Sequence, residues 1–128
     1  MAGAAPRQIS AFAGDEAALV LTEPGYIILV ALLSGPAHGY RIMQMINDIF
    51  RTGLRLGPGT LYRTLQRLTA AGLIEEVDAM DDSEDERRRA YCLTAKGRGA
   101  VQAEVRRLDM LVRLAKAQGA MAREGRAV

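Results

Sequence analysis

The run Gly57-Pro58-Gly59-Thr60-Leu61-Tyr62-Arg63-Thr64-Leu65-Gln66-Arg67-Leu68-Thr69-Ala70-Ala71-Gly72-Leu73-Ile74 constrains this chain more than any other segment. It reads as a turn, a helix, a stop and a strand. Proline is pre-organised for a first helical turn, and glycine commonly closes a last one. Leu61, Leu65 and Leu68 fall at i, i+4 and i+7, so they share one stripe. Thr60, Arg63, Thr64 and Arg67 fall mainly off it. A helix with leucine on one side and hydroxyls and guanidiniums on the other suits a DNA major groove, where such groups meet phosphates and base edges. An ordinary amphipathic surface helix has the same pattern, so the flanking segments decide between them.

Met1 to Gly14 is rich in alanine and glycine and reads as a loose tail. Thr22-Glu23-Pro24 reads as a helix start, with Thr22 as cap and Pro24 in the first turn. The segment it opens, Tyr26 to Leu33, is apolar almost all round and is expected to be buried. Ser34-Gly35-Pro36 ends it. A second helix follows from about Gly39 to Phe50, with Ile42, Met45, Ile46 and Ile49 in one stripe. The methionines there read as core filler. Thr52 to Gly59 is the turn into the third helix, with Thr60 as cap or first-turn residue.

Beyond Gly72, Leu73 to Met80 alternates weakly as a strand would, Asp81 to Glu86 is an acidic loop, and Arg87 to Leu93 is the returning strand. That strand would place Arg88, Ala90 and Cys92 on one face and Arg89, Tyr91 and Leu93 on the other. Three helices followed by a two-stranded hairpin describe a mainly α fold with a small β-hairpin, a winged helix-turn-helix. Thr94-Ala95-Lys96-Gly97 then restarts a helix, Ala95 to Ala117. Val101, Val105, Leu108, Val112 and Ala115 follow the alternating spacing of an a/d seam, widened by Leu111 and Leu114. That face would pack on a partner helix, on its own domain, or on both. The resulting plan is a flexible tail over 1–17, a winged helix-turn-helix over 18–94, a dimerisation helix over 95–118 and a flexible tail over 119–128.

Composition narrows the function. With 128 residues, 49% of them hydrophobic and 25% charged, the chain forms one domain with a core. The net charge is only +2, yet from His38 to Ile74 the charged residues are Arg41, Arg51, Arg55, Arg63, Arg67 and a single acid, Asp48. Such an uneven distribution is compatible with nucleic-acid binding. One cysteine and one histidine leave no disulfide framework and no metal cluster. The longest apolar run, Tyr26 to Leu33, falls short of the roughly 20 residues of a membrane span. Gly14, Asp15 and Glu16 interrupt any signal-peptide core. These features are expected of a soluble cytoplasmic protein. No Ser/His/Asp or Cys/His constellation or phosphate loop is present, so no enzyme activity, catalytic residue or cofactor is expected. Cys92 reads either as a redox sensor or as a packed thiol.

The ordered set His38-Gly39-Tyr40, Gly59-Thr60-Leu61-Tyr62, Leu65-Gln66-Arg67-Leu68, Gly72-Leu73-Ile74, Arg88-Arg89-Ala90-Tyr91 and Leu93-Thr94-Ala95-Lys96-Gly97 resembles the PadR family of transcriptional regulators. The resemblance runs from about Leu21 to Leu114. It is closest to the branch with a single C-terminal dimerisation helix. It implies a homodimeric repressor that binds a pseudo-palindromic operator in double-stranded DNA, in many members relieved by a small-molecule ligand. Thr60, Tyr62 and Arg63 match the start of the recognition helix. Arg67 continues its outer face, and Tyr62 would either anchor a phosphate or pack against the wing. Tyr40 and Arg41 open the helix that crosses the DNA backbone. His38 has a structural or capping role there. Arg87, Arg88 and Arg89 sit at the wing, facing a minor groove or solvent.

Two positions depart from the family pattern. Arg63 stands where a proline is frequent, and Ala90-Tyr91 stands where paired aromatics are frequent. The dimer would use Val101, Val105, Leu108, Leu111, Val112 and Ala115 against the segment Leu19 to Leu33. A hydrophobic effector would sit near Leu108, Met110 and Leu111, with Phe12 or Tyr26 as the available aromatics. The competing reading is a winged-helix protein–protein interaction module, for which the acidic loop Asp81 to Glu86 speaks.

Overall fold

The computed structural model describes residues 21–77 and 89–120. The N-terminal tail with Phe12, the acidic loop, Arg87, Arg88 and residues 121–128 therefore lie outside the described residues. Helix α1 spans Glu23–Ala31, and Leu32–Ser34 closes it with one tighter turn. Strand β1, Ala37–His38, leads into helix α2, Gly39–Gln44, whose axis continues as a wider π turn over Met45–Phe50. Helix α3 spans Pro58–Ala70, strands β2 and β3 span Ile74–Val77 and Ala90–Leu93, and helix α4 spans Ala95–Ala117.

The caps follow from side-chain chemistry. Thr22 Oγ1 accepts from Gly25 N at 3.1 Å with Pro24 in the first turn, as expected. Thr94 Oγ1 accepts from Gly97 N at 3.0 Å and starts α4 in the same way. Of the two places expected for Thr60, cap or first turn, the structure shows the second. Gly57 occupies the cap position and Thr60 lies in the first turn, its carbonyl accepting from Thr64 Oγ1 at 2.7 Å. Gly72 adopts φ +79°, the left-handed conformation that ends a helix at no Cβ cost.

One core unites the three helical stripes. Ile28, Leu29 and Leu32 of the first helical segment meet Ile42 of α2, Ile46 of the π turn and Leu61, Leu65 and Leu68 of α3. Leu73, Ile74 and Tyr91 close it on the sheet side. Two stripe residues differ from the periodic expectation. The π turn, with its i→i+5 spacing, delays the rotation of the helix, so Phe50 packs against the core while Ile49 is 52% exposed. Thr64 lies between Leu61 and Leu68 on the helix surface and is buried, not outward-facing.

The sheet has three strands in the order β1-β3-β2, all antiparallel, where the sequence led to two. Ala37 pairs with Tyr91 and His38 with Ala90, while Ile74 pairs with Leu93 and Val77 with Ala90. Consecutive side chains of a strand point to opposite faces, so the burial of both Ala90 and Tyr91 shows that β3 is covered on both sides there. His38 is held by this pairing and its side chain makes no capping hydrogen bond.

Helix α4 begins stitched to the turn after α3. Thr94 N donates to the Leu73 carbonyl at 3.1 Å, Thr94 Oγ1 to the Gly72 carbonyl at 2.7 Å and Lys96 Nζ to the Ala71 carbonyl at 3.0 Å. Its first turns are spent inside the domain, where Ala100 and Val101 join the core. Glu104 is buried too, its carboxylate gripped at two points by Arg107, with Nε to Oε1 at 3.0 Å and Nη2 to Oε2 at 2.6 Å. That pairing holds the Arg107 guanidinium above its ordinary pKa through the hydrogen bond and the carboxylate charge.

Candidate nucleic-acid interface

Helix α3 is anchored by Leu61, Thr64, Leu65 and Leu68, and this fixes what it turns outward. Arg63, Gln66 and Arg67 are all exposed on the opposite face. Residues at i, i+3 and i+4 are surface neighbours on a helix, so the three form one polar patch. Arg63 and Arg67 are the residues expected from the sequence; Gln66 is an addition. Its signal is its position three residues after Arg63, and its amide can pair with an adenine edge in two-point fashion. Thr60 is half-buried, and the Arg63 guanidinium runs back alongside Gly59 in the first turn of α3.

Tyr62 lies on the other flank of α3. Its phenol oxygen is enclosed, and its ring presses on Gly39, where an added Cβ would come within 2.8 Å of the ring carbon. Between the two expected roles, this geometry favours packing over a phosphate contact. Gly39 N in turn donates to the Arg89 carbonyl at 3.2 Å. The first residue of α2, the ring of α3 and the start of β3 thus meet at one junction. A cleft of about 340 Å³ separates α3 from the sheet beyond it, bounded by Gln66 and Thr69 on one side and Glu76 and Arg89 on the other.

At the start of α2, Tyr40 is 58% exposed and Arg41 donates to Gln44 Oε1 at 2.8 Å along the same helix. Both face solvent beside the junction. Arg89, the described member of the wing arginines, forms an ion pair with Glu76 at 3.3 Å, with both side chains about half exposed. An anion approaching the wing would compete with that carboxylate for the guanidinium.

Cys92 is half-buried in β3 opposite Glu75, with Sγ 3.8 Å from Glu75 Oε2. Burial raises its pKa, and the neighbouring carboxylate raises it further by charge and hydrogen bonding. The reactive thiolate is therefore scarcer than in a free cysteine, opposite to the environment of a redox sensor. Because the folded state holds the proton more tightly, the associated stability is present below the ordinary thiol pKa and is lost as pH rises through the folded-state value. Cys92 is expected to alkylate more slowly with iodoacetamide at pH 8 than a cysteine in an unstructured peptide. Glu75→Gln should speed it; equal rates for the wild-type protein and the peptide would refute this account.

The expected dimerisation residues divide. Val101 is consumed by the domain's own core and Leu108 is half-buried. Val105, Leu111, Val112 and Ala115 are exposed, as are Met110 and Leu114. The outer half of α4 therefore shows an apolar face. Among the described residues no cluster of three or more His, Cys, Asp or Glu could hold a metal ion, and no helix is long and apolar enough to cross a membrane.

A helix-turn-helix seated on a small sheet, followed by a long helix that leaves the domain, defines a winged helix-turn-helix protein. Residues 28–103 match the family described as the transcriptional regulator PadR-like family, more than half of the chain. The chain belongs to that family, which is one of regulators and not of enzymes. It is 40% identical over 76 residues to a transcriptional regulator of Mycobacterium tuberculosis and 39% identical over 85 residues to an uncharacterized 37.1 kDa transposon protein of Streptomyces fradiae. These stretches cover 59% and 66% of this chain but 66% and 23% of the relatives' own lengths. Among solved structures, a PadR family regulator from Clostridium difficile superposes with a TM-score of 0.64 at 21% identity, covering 75% of this chain and 97% of that one. Bacillus subtilis PadR in complex with operator DNA superposes with a TM-score of 0.56 at 22% identity, covering 63% and 44%. At these identities the likeness to the solved structures concerns the fold.

Proposed function

We propose that this protein is a sequence-specific DNA-binding transcriptional regulator acting as a homodimer, and that it represses its targets. The observation that carries the reading is the outer face of α3. Arg63, Gln66 and Arg67 stand side by side on a helix whose opposite face is locked into the core. Such a helix can enter a major groove without unfolding anything, and its two guanidiniums and one amide are the groups that read guanine and adenine edges. Tyr40 and Arg41 then meet the flanking backbone, and Arg89, with Arg87 and Arg88, serves the wing. Bacillus subtilis PadR is known in complex with operator DNA, which supports the same use of this fold.

The homodimer reading rests on the exposed Val105, Leu111, Val112 and Ala115, with Leu108 at their edge. Apolar residues in this spacing bury well against a second helix. Two copies would read a pseudo-palindrome with half-sites about one helical turn, roughly 10 bp, or a multiple of it apart. An apolar effector would bind beside Leu108, Met110 and Leu111, with Tyr26 the described aromatic available to it, and its release of DNA is the regulatory step proposed.

Selection of bound sites from a random duplex pool tests the reading directly. Enrichment of an inverted repeat is expected, with a log–log salt slope of about −0.9 per phosphate neutralised. Arg63→Ala should cost roughly 1–3 kcal/mol of duplex binding and leave the sedimentation behaviour unchanged. No enrichment, together with indifference to Arg63→Ala, would refute the assignment of α3. A monomer in sedimentation at micromolar concentration would refute the dimer.

A further inference from the structure

Between α2 and α3 the chain runs from Arg51 to Gly57 without regular structure. Arg51 sits at φ 56° and Gly53 at φ +95°, so the backbone reverses twice in the left-handed region. Such a linker does not by itself define where the next helix begins. Three hydrogen bonds tie it back to the π turn that follows α2, and Asn47 is one partner in each. Asn47 Nδ2 donates to the Leu56 carbonyl at 2.9 Å, and Asn47 Oδ1 accepts from Leu56 N at 2.8 Å. Arg55 Nη1 donates to the Asn47 carbonyl at 3.3 Å. Leu56 is buried, so its backbone donor and acceptor need partners within the protein. The Asn47 amide supplies both at once, with the two-point geometry of a strand neighbour. Leu56 immediately precedes Gly57, the cap of α3.

We propose that Asn47 is the positioning residue of the recognition helix, setting the register and tilt at which α3 presents Arg63, Gln66 and Arg67 to DNA. The proposal rests on the DNA-binding reading above. The π turn serves this purpose: Asn47 lies within it, and the turn's delayed rotation directs the amide toward the linker while Ile46 stays in the core. Only a side chain with both a donor and an acceptor on one planar head can close both Leu56 bonds. Aspartate lacks the donor, and leucine, although similar in size, lacks both.

A double-mutant cycle on the selected duplex, read by anisotropy of a labelled probe, tests the proposal. In the parent background Arg63→Ala is expected to weaken binding about ten- to hundredfold. Asn47→Ala should weaken it about tenfold or more on its own, and Arg63→Ala added to it should cost less than about threefold, since residues acting through one element are non-additive. Asn47→Asp, which keeps the bond from Leu56 N, should fall between wild type and Asn47→Ala and carries the same cycle should the alanine variant not fold. Ile74→Val, a core change in β2 away from the linker, controls for stability: it should lower the melting temperature while leaving affinity within about twofold. Wild-type affinity in Asn47→Ala, or an undiminished Arg63→Ala penalty on that background, overturns the positioning role while the DNA reading stands. An Arg63→Ala variant that binds like wild type in the parent background overturns the DNA reading itself, and the positioning role with it.

Discussion

Gly97→Ala is expected to destabilise the domain by about 3 kcal/mol or more, the upper end of what overpacking costs. Gly97 lies in the first turn of α4, directly over the segment to which that helix is stitched. A Cβ built there would overlap the Leu73 carbonyl oxygen and come within 3.0 Å of both the Leu73 carbonyl carbon and Leu93 Cδ1. The obstacle is backbone, so no rotamer change relieves it. The Leu73 carbonyl is also the acceptor for Thr94 N, and moving α4 away would break the hydrogen bond that positions the helix. Helix propensity pulls the other way, since alanine gains about 1 kcal/mol over glycine in a helix interior. The clash outweighs it.

Gly99, two residues further along the same helix, provides the control. It is exposed, with nothing within 4 Å of a built Cβ, so Gly99→Ala should stabilise by up to about 1 kcal/mol. Thermal melts of the two variants at matched protein concentration should move in opposite directions. Movement in the same direction would show that α4 is not seated on Leu73.

Leu65→Ala should cost about 2–5 kcal/mol, with each kcal/mol lowering the melting temperature by roughly 4–8 °C in a domain of this size. Leu65 is 1% exposed and sits in the middle of the α3 stripe, between Leu61 and Leu68. The core cluster it belongs to is drawn from several separate elements, which cannot collapse together around the cavity without moving α3. Arg67, two residues later, is exposed at the edge of a groove it shares with Leu21 and Thr22, and Arg67→Ala should stay within about 0.5 kcal/mol. The pair separates the two faces of one helix, Leu65 on the buried side and Arg67 on the exposed one. A Leu65→Ala variant melting within a few degrees of wild type would mean that α3 is not packed as described.

These contrasts also show how much of the site is legible in local spacing. The α3 stripe, its outer arginines and its glycine stop are written there, and the structure places them accordingly. Gln66 stands on the same face although the leucine spacing points to the threonines, and Thr64, one of those threonines, is buried. The difference is one of arc width: the buried sector of α3 spans Leu61, Thr64, Leu65 and Leu68, and a stripe counted on leucines alone understates it. For α4 the seam spacing is legible, but not its division of labour. Val101 lies in the domain core and Val105 lies outside it. Glu104 falls beside the seam, where a heptad reading places a solvated charge, yet it is buried, and the Arg107 grip makes its burial tolerable.

By itself the sequence determined what depends on neighbours along the chain. It set the helix starts at Thr22 and Thr94, the stop at Gly72, the bounds of α4 and the leucine stripe of α3, because capping and periodicity act over a few residues. The tertiary structure decided what depends on meetings between distant residues. Ala37–His38 became a strand only because Tyr91 and Ala90 lie beside it, and two residues carry no strand signal of their own. Asn47 became a clamp only because Leu56 returned to it across a linker with two left-handed residues. Gly97 is expected to be indispensable only because the Leu73 carbonyl occupies the space of its missing Cβ. Short-range propensity cannot encode such contacts, since each exists only once the rest of the core has brought its two partners together.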